Sequence, residues 1–188
     1  MQIRFVKILC TILLAIVIYS SSCIASDQQR LENRVKALLI VRLALFISWP
    51  ENPQKTTFKI CIDSKDPVAN EFQFTEVTEI KGRTLEVIEP PRDESIRQCD
   101  FLYLSAGSVD RAIAQFPVVT ISSQAGFAEQ GGMIEFYIDD SKVRMKTNLH
   151  AVNDAHIKLS SKLIRLLHIV DPLSKNMLRY YVSNHKVP

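Results

Sequence analysis

Apolar residues recur at helical spacing between Gln28 and Ser48, and this pattern predicts a long first helix. Almost every position from Ala37 onward is apolar, so we expect the helix to be buried on several sides. Trp49 and Pro50 end it, because proline cannot continue a helix and forces the preceding residue out of the helical region. The apolar stripe comprises Leu31, Val35, Leu38, Leu39, Arg42, Leu45 and Phe46.

Short apolar runs alternate with polar segments in the middle of the chain, which is typical of strands separated by short helices. The predicted helices cover residues 68–75, with Asp66 as the N-cap, and residues 109–115, capped by Ser108. This order predicts right-handed crossovers in a largely parallel sheet. The predicted strands are Phe58–Asp63, Thr84–Ile88, Asp100–Ser105 and Val118–Ile121.

The pattern changes after Ser122, where a loop with three of the five glycines leads into two alternating segments. These segments, Met133–Ile138 and Lys142–Asn148, predict an antiparallel hairpin whose turn is formed by residues 139–141. A short helix near residues 148–155 and a last helix over Leu163–Val170, opened by residues 160–162, follow.

Together these elements predict one α/β domain over residues 27–170. Its core is a mostly parallel twisted sheet with helices on both faces and a C-terminal antiparallel hairpin. Residues 171–188 form a tail to which the pattern assigns no structure.

The first 25 residues are typical of a secretory signal peptide. Arg4 and Lys7 precede an apolar run over residues 8–19 that is too short to span a membrane comfortably. Cleavage is expected after Ala25, with Ser26 as the alternative. A second alternative is that Cys23 is acylated as in a lipoprotein, although Ser20 occupies the position where such signals normally have leucine.

The excess of basic over acidic residues in the whole chain carries no information about its partners. The formal net charge is +3, but removal of residues 1–25 leaves 21 of the 23 basic residues against 20 acidic ones. The chain also lacks a Lys/Arg-rich run with interleaved aromatic residues, so the sequence does not favour nucleic-acid binding.

Two cysteines remain after removal of the signal peptide, Cys61 and Cys99. An even number of cysteines in a secreted chain favours a disulfide, and the alternative is two buried thiols. The bridge would close a loop of about 40 residues and contribute about 3–4 kcal/mol on the chain-entropy model.

The sequence contains none of the catalytic patterns that a short motif can reveal. Ser123 to Gly126 lacks the first glycine of a nucleophile elbow. His150 and His156 are six residues apart, which does not place them on one helix face as metal ligands. No glycine-rich phosphate loop follows the first predicted strand. We therefore predict a protein that is not an enzyme and needs neither metal nor cofactor.

Four charged residues have both a structural and a functional interpretation. Glu129 and Glu135 either face a cleft or lie on an exposed loop and strand face. Arg144 either pairs across the hairpin with Glu135 or binds a ligand carboxylate. Arg165 either extends its stem along the apolar surface of the last helix or anchors a ligand.

Several motifs together resemble the YfiR family of bacterial periplasmic proteins over about residues 30–170. The longest is Gly-Phe-Ala-Glu-x-Gly-Gly-Met-Ile-x-Phe, which Gly126 to Phe136 match in full. The other matching segments are Leu38 to Pro50, Cys61, Cys99 with the apolar run after it, Val143 to Leu149, and Ile157 to Leu166.

This resemblance implies a periplasmic regulator and no catalyst. It implies a homodimer that binds the periplasmic part of an inner-membrane diguanylate cyclase, keeps that enzyme inactive, and so lowers cyclic di-GMP and biofilm formation. An alternative is a module that binds a small aromatic ligand and feeds another membrane sensor. The residues expected to contact a partner or ligand are Trp49, Phe127, Glu129, Arg144 and Arg165.

The resemblance also bears on the cysteines. Cys61 and Cys99 match one disulfide of the family, whereas Met145 to Asn153 contain no counterpart of a second one. A redox switch that rests on the second bridge is therefore in doubt for this chain.

Overall fold

The computed structural model describes residues 26–171 except 51, 53, 93, 108, 110 and 115. The predicted signal peptide with Cys23, the cap residue Ser108, and the tail beyond Asp171 lie outside the described residues. In the described part of the chain, no helix has the length and apolarity needed to cross a membrane.

An eight-stranded mixed sheet forms the centre of the molecule, in the order β10-β8-β7-β6-β5-β2-β4-β3. The run from β7 to β4 is parallel, while β8 and β3 are antiparallel to their inner neighbours. A separate pair joins β1 and β9. The strands are β1 Ile47–Ser48, β2 Thr57–Ile62, β3 Glu79–Ile80, β4 Arg83–Ile88, β5 Phe101–Leu104, β6 Val119–Ser122, β7 Ile134–Asp139, β8 Lys142–Asn148, β9 Lys158–Leu159 and β10 His168–Val170.

The predicted mostly parallel α/β fold with its hairpin is confirmed. The α-helices are α1 over residues 26–43, α2 Arg111–Ala114, α3 Leu149–Asp154 and α4 Ser161–Ile164. The described residues also form 3-10 helices at Ala44–Phe46, Ala69–Phe74, Glu94–Gln98 and Ala128–Gln130. The helix predicted at residues 68–75 is present as the 3-10 helix Ala69–Phe74.

The prediction of a last helix over Leu163–Val170 is wrong. Ser160 caps α4 as expected, by accepting a hydrogen bond from the Leu163 N–H, but the helix ends at Ile164. His168–Val170 then pairs in parallel with β8, which would otherwise be an open sheet edge. Strand pairing satisfies backbone groups at that edge, and the β-branched Ile169 and Val170 suit it.

The main core lies between α1 and one face of the sheet. Ala37, Ile40 and Ala44 of the helical segment pack there with Phe58 and Phe101 of the central strands. The expectation that α1 is buried on several sides is wrong, because its opposite face is open to solvent. On that face Leu31, Leu38 and Leu45 are 57%, 37% and 59% exposed.

The opposite sheet face carries a smaller core built around the cysteines. Cys61 and Cys99 form the predicted disulfide, with their Cα atoms 5.8 Å apart. Ile96, Leu102 and Val118 bury it, and both cysteines are inaccessible to solvent. The bridge therefore ties β2 to the segment that enters β5.

Candidate functional site: the loop between β6 and β7

The loop from Gly126 to Met133 is shaped by its glycines. Gly126 has φ +80°, and Gly131 ends the 3-10 helix Ala128–Gln130 with φ +103°, a region that favours glycine. Gly132 is needed for space: a Cβ atom there would lie 2.1 Å from the Phe127 ring. The glycines thus allow the loop to fold tightly over its own aromatic side chain.

Phe127 is 1% exposed, so the expectation that this side chain is displayed at the surface is wrong. Its ring is among the largest fully buried side chains and occupies the space beside Gly132. The physical reason is burial of apolar area, which stabilises a Phe side chain by about 1.5–3 kcal/mol relative to exposure. Phe127 can therefore shape this surface but not contact a partner directly.

Two polar side chains of the hairpin form hydrogen bonds to the backbone of the loop. The buried Glu135 carboxylate accepts a hydrogen bond from the Ala128 N–H at 3.1 Å. Asn148 donates its side-chain N–H to the Ala128 carbonyl at 3.0 Å and also caps α3 by accepting from the Ala151 N–H. Both the N–H and the carbonyl of Ala128 are therefore hydrogen-bonded, and these bonds hold the loop in one conformation.

Lys146 links two carboxylates at the edge of this loop. Its ammonium group lies 3.1 Å from Glu135 and 3.3 Å from Glu129. Burial opposes the charge of Glu129, but hydrogen bonds from its own backbone and from Lys146 outweigh it and lower the pKa of this carboxyl. Burial likewise opposes the charge of Lys146, but Glu135 and Glu129 together raise the pKa of the ammonium. Glu129 and Lys146 therefore remain charged near neutral pH.

Glu135 pairs across the hairpin with Lys146, and the expected pair with Arg144 is wrong. Arg144 lies opposite Tyr137 and is half-exposed, with Asp139 at 3.7 Å as its acidic neighbour. Only Asp140 and Ser141 are unpaired at the turn, both with positive φ, which is the pattern of a two-residue hairpin turn. That turn places Lys146 opposite Glu135, whereas the predicted three-residue turn would have placed Met145 there, so neither register pairs Glu135 directly with Arg144.

Trp49 lies away from the loop, at the amino ends of β2 and β5. Its ring makes edge contacts with Phe58 and Phe101 at 5.3 and 5.5 Å, and Lys81 lies 5.7 Å from its centroid. Its indole N–H is buried with no hydrogen-bond partner among the described residues. These contacts pack the partly buried Trp49 against the main core.

The five predicted contact residues do not form one site. Arg165 is exposed just after α4, Arg144 lies toward the hairpin turn, and Trp49 lies at the amino ends of β2 and β5. Only Glu129 and the buried Phe127 belong to the loop. The important residue that the sequence interpretation missed is Lys146, and a correct hairpin register would have placed it opposite Glu135.

A second group of polar side chains gathers where the parallel strands β5 and β6 end. Tyr103 shares a hydrogen bond of 2.8 Å with Ser123, and Ser105 donates to Asp66 at 2.5 Å. Burial raises the pKa of Tyr103 to about 12; Ser123 opposes this rise, and the charges of Asp66 and Glu32 add to it. These side chains form hydrogen bonds with one another and so stabilise the loops at this end of the sheet.

Comparisons with known proteins address the fold and the family. A family model described as YfiR/HmsC-like matches residues 33–167. A comparison with curated proteins gives no match. One solved structure, a conserved domain protein from Vibrio cholerae O1 biovar El Tor, is similar with 8% identity and a TM-score of 0.39. The similarity covers 63% of this chain and 56% of that one.

The family model spans most of the described chain and includes the loop and all of its supports. Proteins of this family are periplasmic regulators of cyclic di-GMP signalling and are not enzymes. The buried Cys61–Cys99 disulfide fits the oxidising periplasm. From the match, the fold and the loop together, we conclude that the chain belongs to the YfiR/HmsC-like family.

Proposed function

We propose that this protein is a periplasmic repressor that binds the periplasmic region of an inner-membrane diguanylate cyclase and keeps the enzyme inactive. The family supports the general class of regulator. The observation that carries the finer proposal is the ordered loop between β6 and β7, whose outer edge presents Gln130 and parts of Glu129 and Lys146.

This edge suits protein contact because it is fixed before a partner arrives. Glu135 and Asn148 hold the Ala128 backbone, and Phe127 fills the space beneath it. A surface that is already ordered loses less conformational entropy on binding than a mobile loop does. The mixed charges of Glu129 and Lys146 would favour a polar, charged partner surface and add specificity.

Release from the cyclase is better explained by an effector than by reduction of the disulfide. Cys61 and Cys99 are inaccessible beneath Ile96 and Val118, so a reductant reaches them only when this part of the molecule opens. An effector that binds the partner-free form more tightly would instead shift the population away from the complex.

The proposal is tested by measuring cyclic di-GMP in cells that lack the gene and in cells that carry it. Deletion should raise cyclic di-GMP, and the wild-type gene should restore the low level. Gln130→Lys should restore it poorly, while Gln54→Lys, the same change at another exposed glutamine shortly before β2, should restore it fully. An unchanged cyclic di-GMP level after deletion would contradict the proposal.

A second candidate function, binding of a small apolar or aromatic ligand, is favoured by one groove. The groove has a volume of about 680 Å³ and lies between the 3-10 helix Ala69–Phe74 and β4. Phe72, Leu85 and Val87 line it, and Gln73 and Glu89 lie among its polar lining residues. This volume is within the range of small-molecule sites. It is a different surface from the one predicted around Trp49 and Arg165.

Thermal shift with a panel of aromatic amino acids tests this second candidate. A ligand that occupies the groove should raise the melting temperature of the wild-type protein and not that of Val87→Lys, which places a long charged chain in the groove. Ile138→Lys, on the hairpin far along the sheet, is the matched control and should respond like wild type. Absence of any shift in wild type would count against ligand binding.

A further inference from the structure

A small cleft lies at the amino ends of β2, β4, β5 and β6. It has a volume of about 90 Å³. One ordered water needs only about 10–15 Å³ of such space, so the cleft can hold a group larger than a single water molecule. The side chains that give the cleft its chemistry are Trp49, Asn52, Lys55, Arg83, Arg97 and Asp100.

Asp100 provides the acidic side chain of the cleft, and the protein itself already pairs this carboxylate. Asp100 is 1% exposed. Its oxygen atoms lie 3.2 Å from the Lys55 ammonium group and 2.5 Å from the Arg83 guanidinium, and one of them accepts a hydrogen bond from the Lys59 N–H at 2.9 Å. One cation is enough to balance a buried carboxylate, so the second positive charge is left over.

Arg97 adds a third positive charge to the lining. Its acidic partner among the described residues is Glu94 at 2.8 Å, and the side chains of this pair are 57% and 80% exposed. Such an exposed pair contributes little to stability, so Arg97 is available to a ligand. The three cations Lys55, Arg83 and Arg97 against the single charge of Asp100 leave the lining with a net charge of +2.

Hydrogen-bond donors without acceptors lie beside these cations. The indole N–H of Trp49 is buried and has no partner among the described residues, and leaving such a donor unpaired costs free energy. Asn52 uses its side-chain oxygen to accept a hydrogen bond from the Gln54 N–H at 3.2 Å, which keeps its NH2 group for another acceptor. The chemistry of the cleft therefore favours a ligand that is negatively charged and rich in acceptor oxygens.

We propose that this cleft binds a doubly charged tetrahedral oxyanion, either free phosphate or sulfate or the terminal phosphate of a larger molecule. Arg97 can donate two parallel N–H groups to the oxygens of such an anion, and Lys55 contributes a compact positive charge. Arg83 stays with Asp100 and the Thr57 carbonyl and so keeps the cleft in shape. A dianion matches the surplus of two positive charges in the lining.

Equilibrium dialysis of the mature protein, residues 26–188, against radiolabelled phosphate tests the site. Wild type should bind phosphate, and the affinity should fall as the salt concentration rises, because the attraction is between charges. Unlabelled sulfate, which is also doubly charged and tetrahedral, should displace the phosphate more effectively than singly charged acetate does. Stronger displacement by glycerol phosphate than by free phosphate would assign the site to phosphate esters, and the reverse order would assign it to the free anion.

Variants of the lining show whether the cleft is the place of binding. Arg97→Met should weaken phosphate binding about tenfold, because it removes charge-assisted hydrogen bonds. The circular dichroism spectrum should stay unchanged, since the Arg97 side chain is 57% exposed. Lys55→Met should weaken binding by a similar factor. Arg92→Met is the matched control, because it removes an exposed arginine outside the cleft and should leave binding like that of wild type.

Two results would overturn the inference: no binding of phosphate to the wild-type protein, or equal weakening by Arg97→Met and Arg92→Met. Either result would leave the cyclase proposal standing, because that proposal depends on the loop after β6 and on cyclic di-GMP levels.

Discussion

At the scale of single residues, the most consequential group is the carboxylate of Glu135. It is 1% exposed, and its charge is compensated by Lys146 and by the Ala128 N–H. A buried charge without a partner is far more costly than a missing surface pair. The loop conformation is therefore linked to one lysine on the neighbouring strand.

Replacing Lys146 with methionine should destabilise the protein by about 2–4 kcal/mol, because Glu135 would be left buried without its cation. This expected loss of stability lies toward the lower end of the range for breaking a buried ion pair, because the Lys146 side chain is 23% exposed. Urea denaturation measures the change. Arg144→Met, two residues away on the same strand, is the control and should change stability by no more than about 0.5 kcal/mol.

The same cluster predicts how stability depends on pH. Because the folded-state pKa of Glu129 is lowered from 4.5, its contribution is present above about pH 4.5 and is lost as the pH falls through the folded-state value. Lys146 behaves in the opposite sense: its contribution is present below about pH 10.5 and is lost as the pH rises through its raised pKa. Urea denaturation across the acid range should show a smaller loss for Glu129→Gln than for wild type. An equal loss in both proteins would contradict the assignment.

Gly132→Ala should destabilise the protein by about 1–3 kcal/mol, because the added methyl group overlaps the Phe127 ring and the core must rearrange. The change in urea midpoint measures it. In a Phe127→Leu background the same substitution should destabilise the protein less, because the smaller leucine side chain leaves room for the added methyl group. An equal cost in both backgrounds would show that the two residues do not interact.

At the scale of elements, the sequence predicted the strands well and their exact pairing less well. Alternation placed β2, β4 and the hairpin, and short continuous apolar runs placed β5 and β6, because each strand must present apolar residues to a core. The alternating pattern did not resolve whether the hairpin turn contained two or three residues, and the length of the turn determines which residue lies opposite Glu135. Similarly, Leu163–Val170 has helical spacing, but the open edge of β8 offered a better arrangement for its last three residues.

The disulfide joins two elements of the parallel sheet and closes a loop with a sequence separation of 38 residues. Replacing both cysteines with alanine should lower the free energy of unfolding by about 3–4 kcal/mol. Burial further predicts slow reduction: alkylation after dithiothreitol should label Cys61 and Cys99 only when urea opens the fold. Rapid labelling of the native protein would contradict this and would revive reduction as a releasing signal.

At the scale of the whole molecule, pattern alone could not identify the outward face of α1. A helix with apolar residues on opposite sides looks fully buried in sequence, and only the sheet's position shows which side is free. Glycine positions likewise located the loop between β6 and β7 but not the burial of Phe127, which depends on the space beside Gly132. Local periodicity thus gave the fold class, while surfaces depend on contacts between distant segments.

The pairing of β1 with β9 has a consequence for how this protein matures. Ile47 at the end of the first helical segment pairs with Leu159, and Phe46 accepts a hydrogen bond from the Ser160 N–H. The first part of the domain is therefore completed by residues near its end, and pairing between segments so distant in sequence makes folding slower. A chain that crosses a membrane before it folds would complete this pairing only after its last strands arrive, so the finished fold would form on the far side.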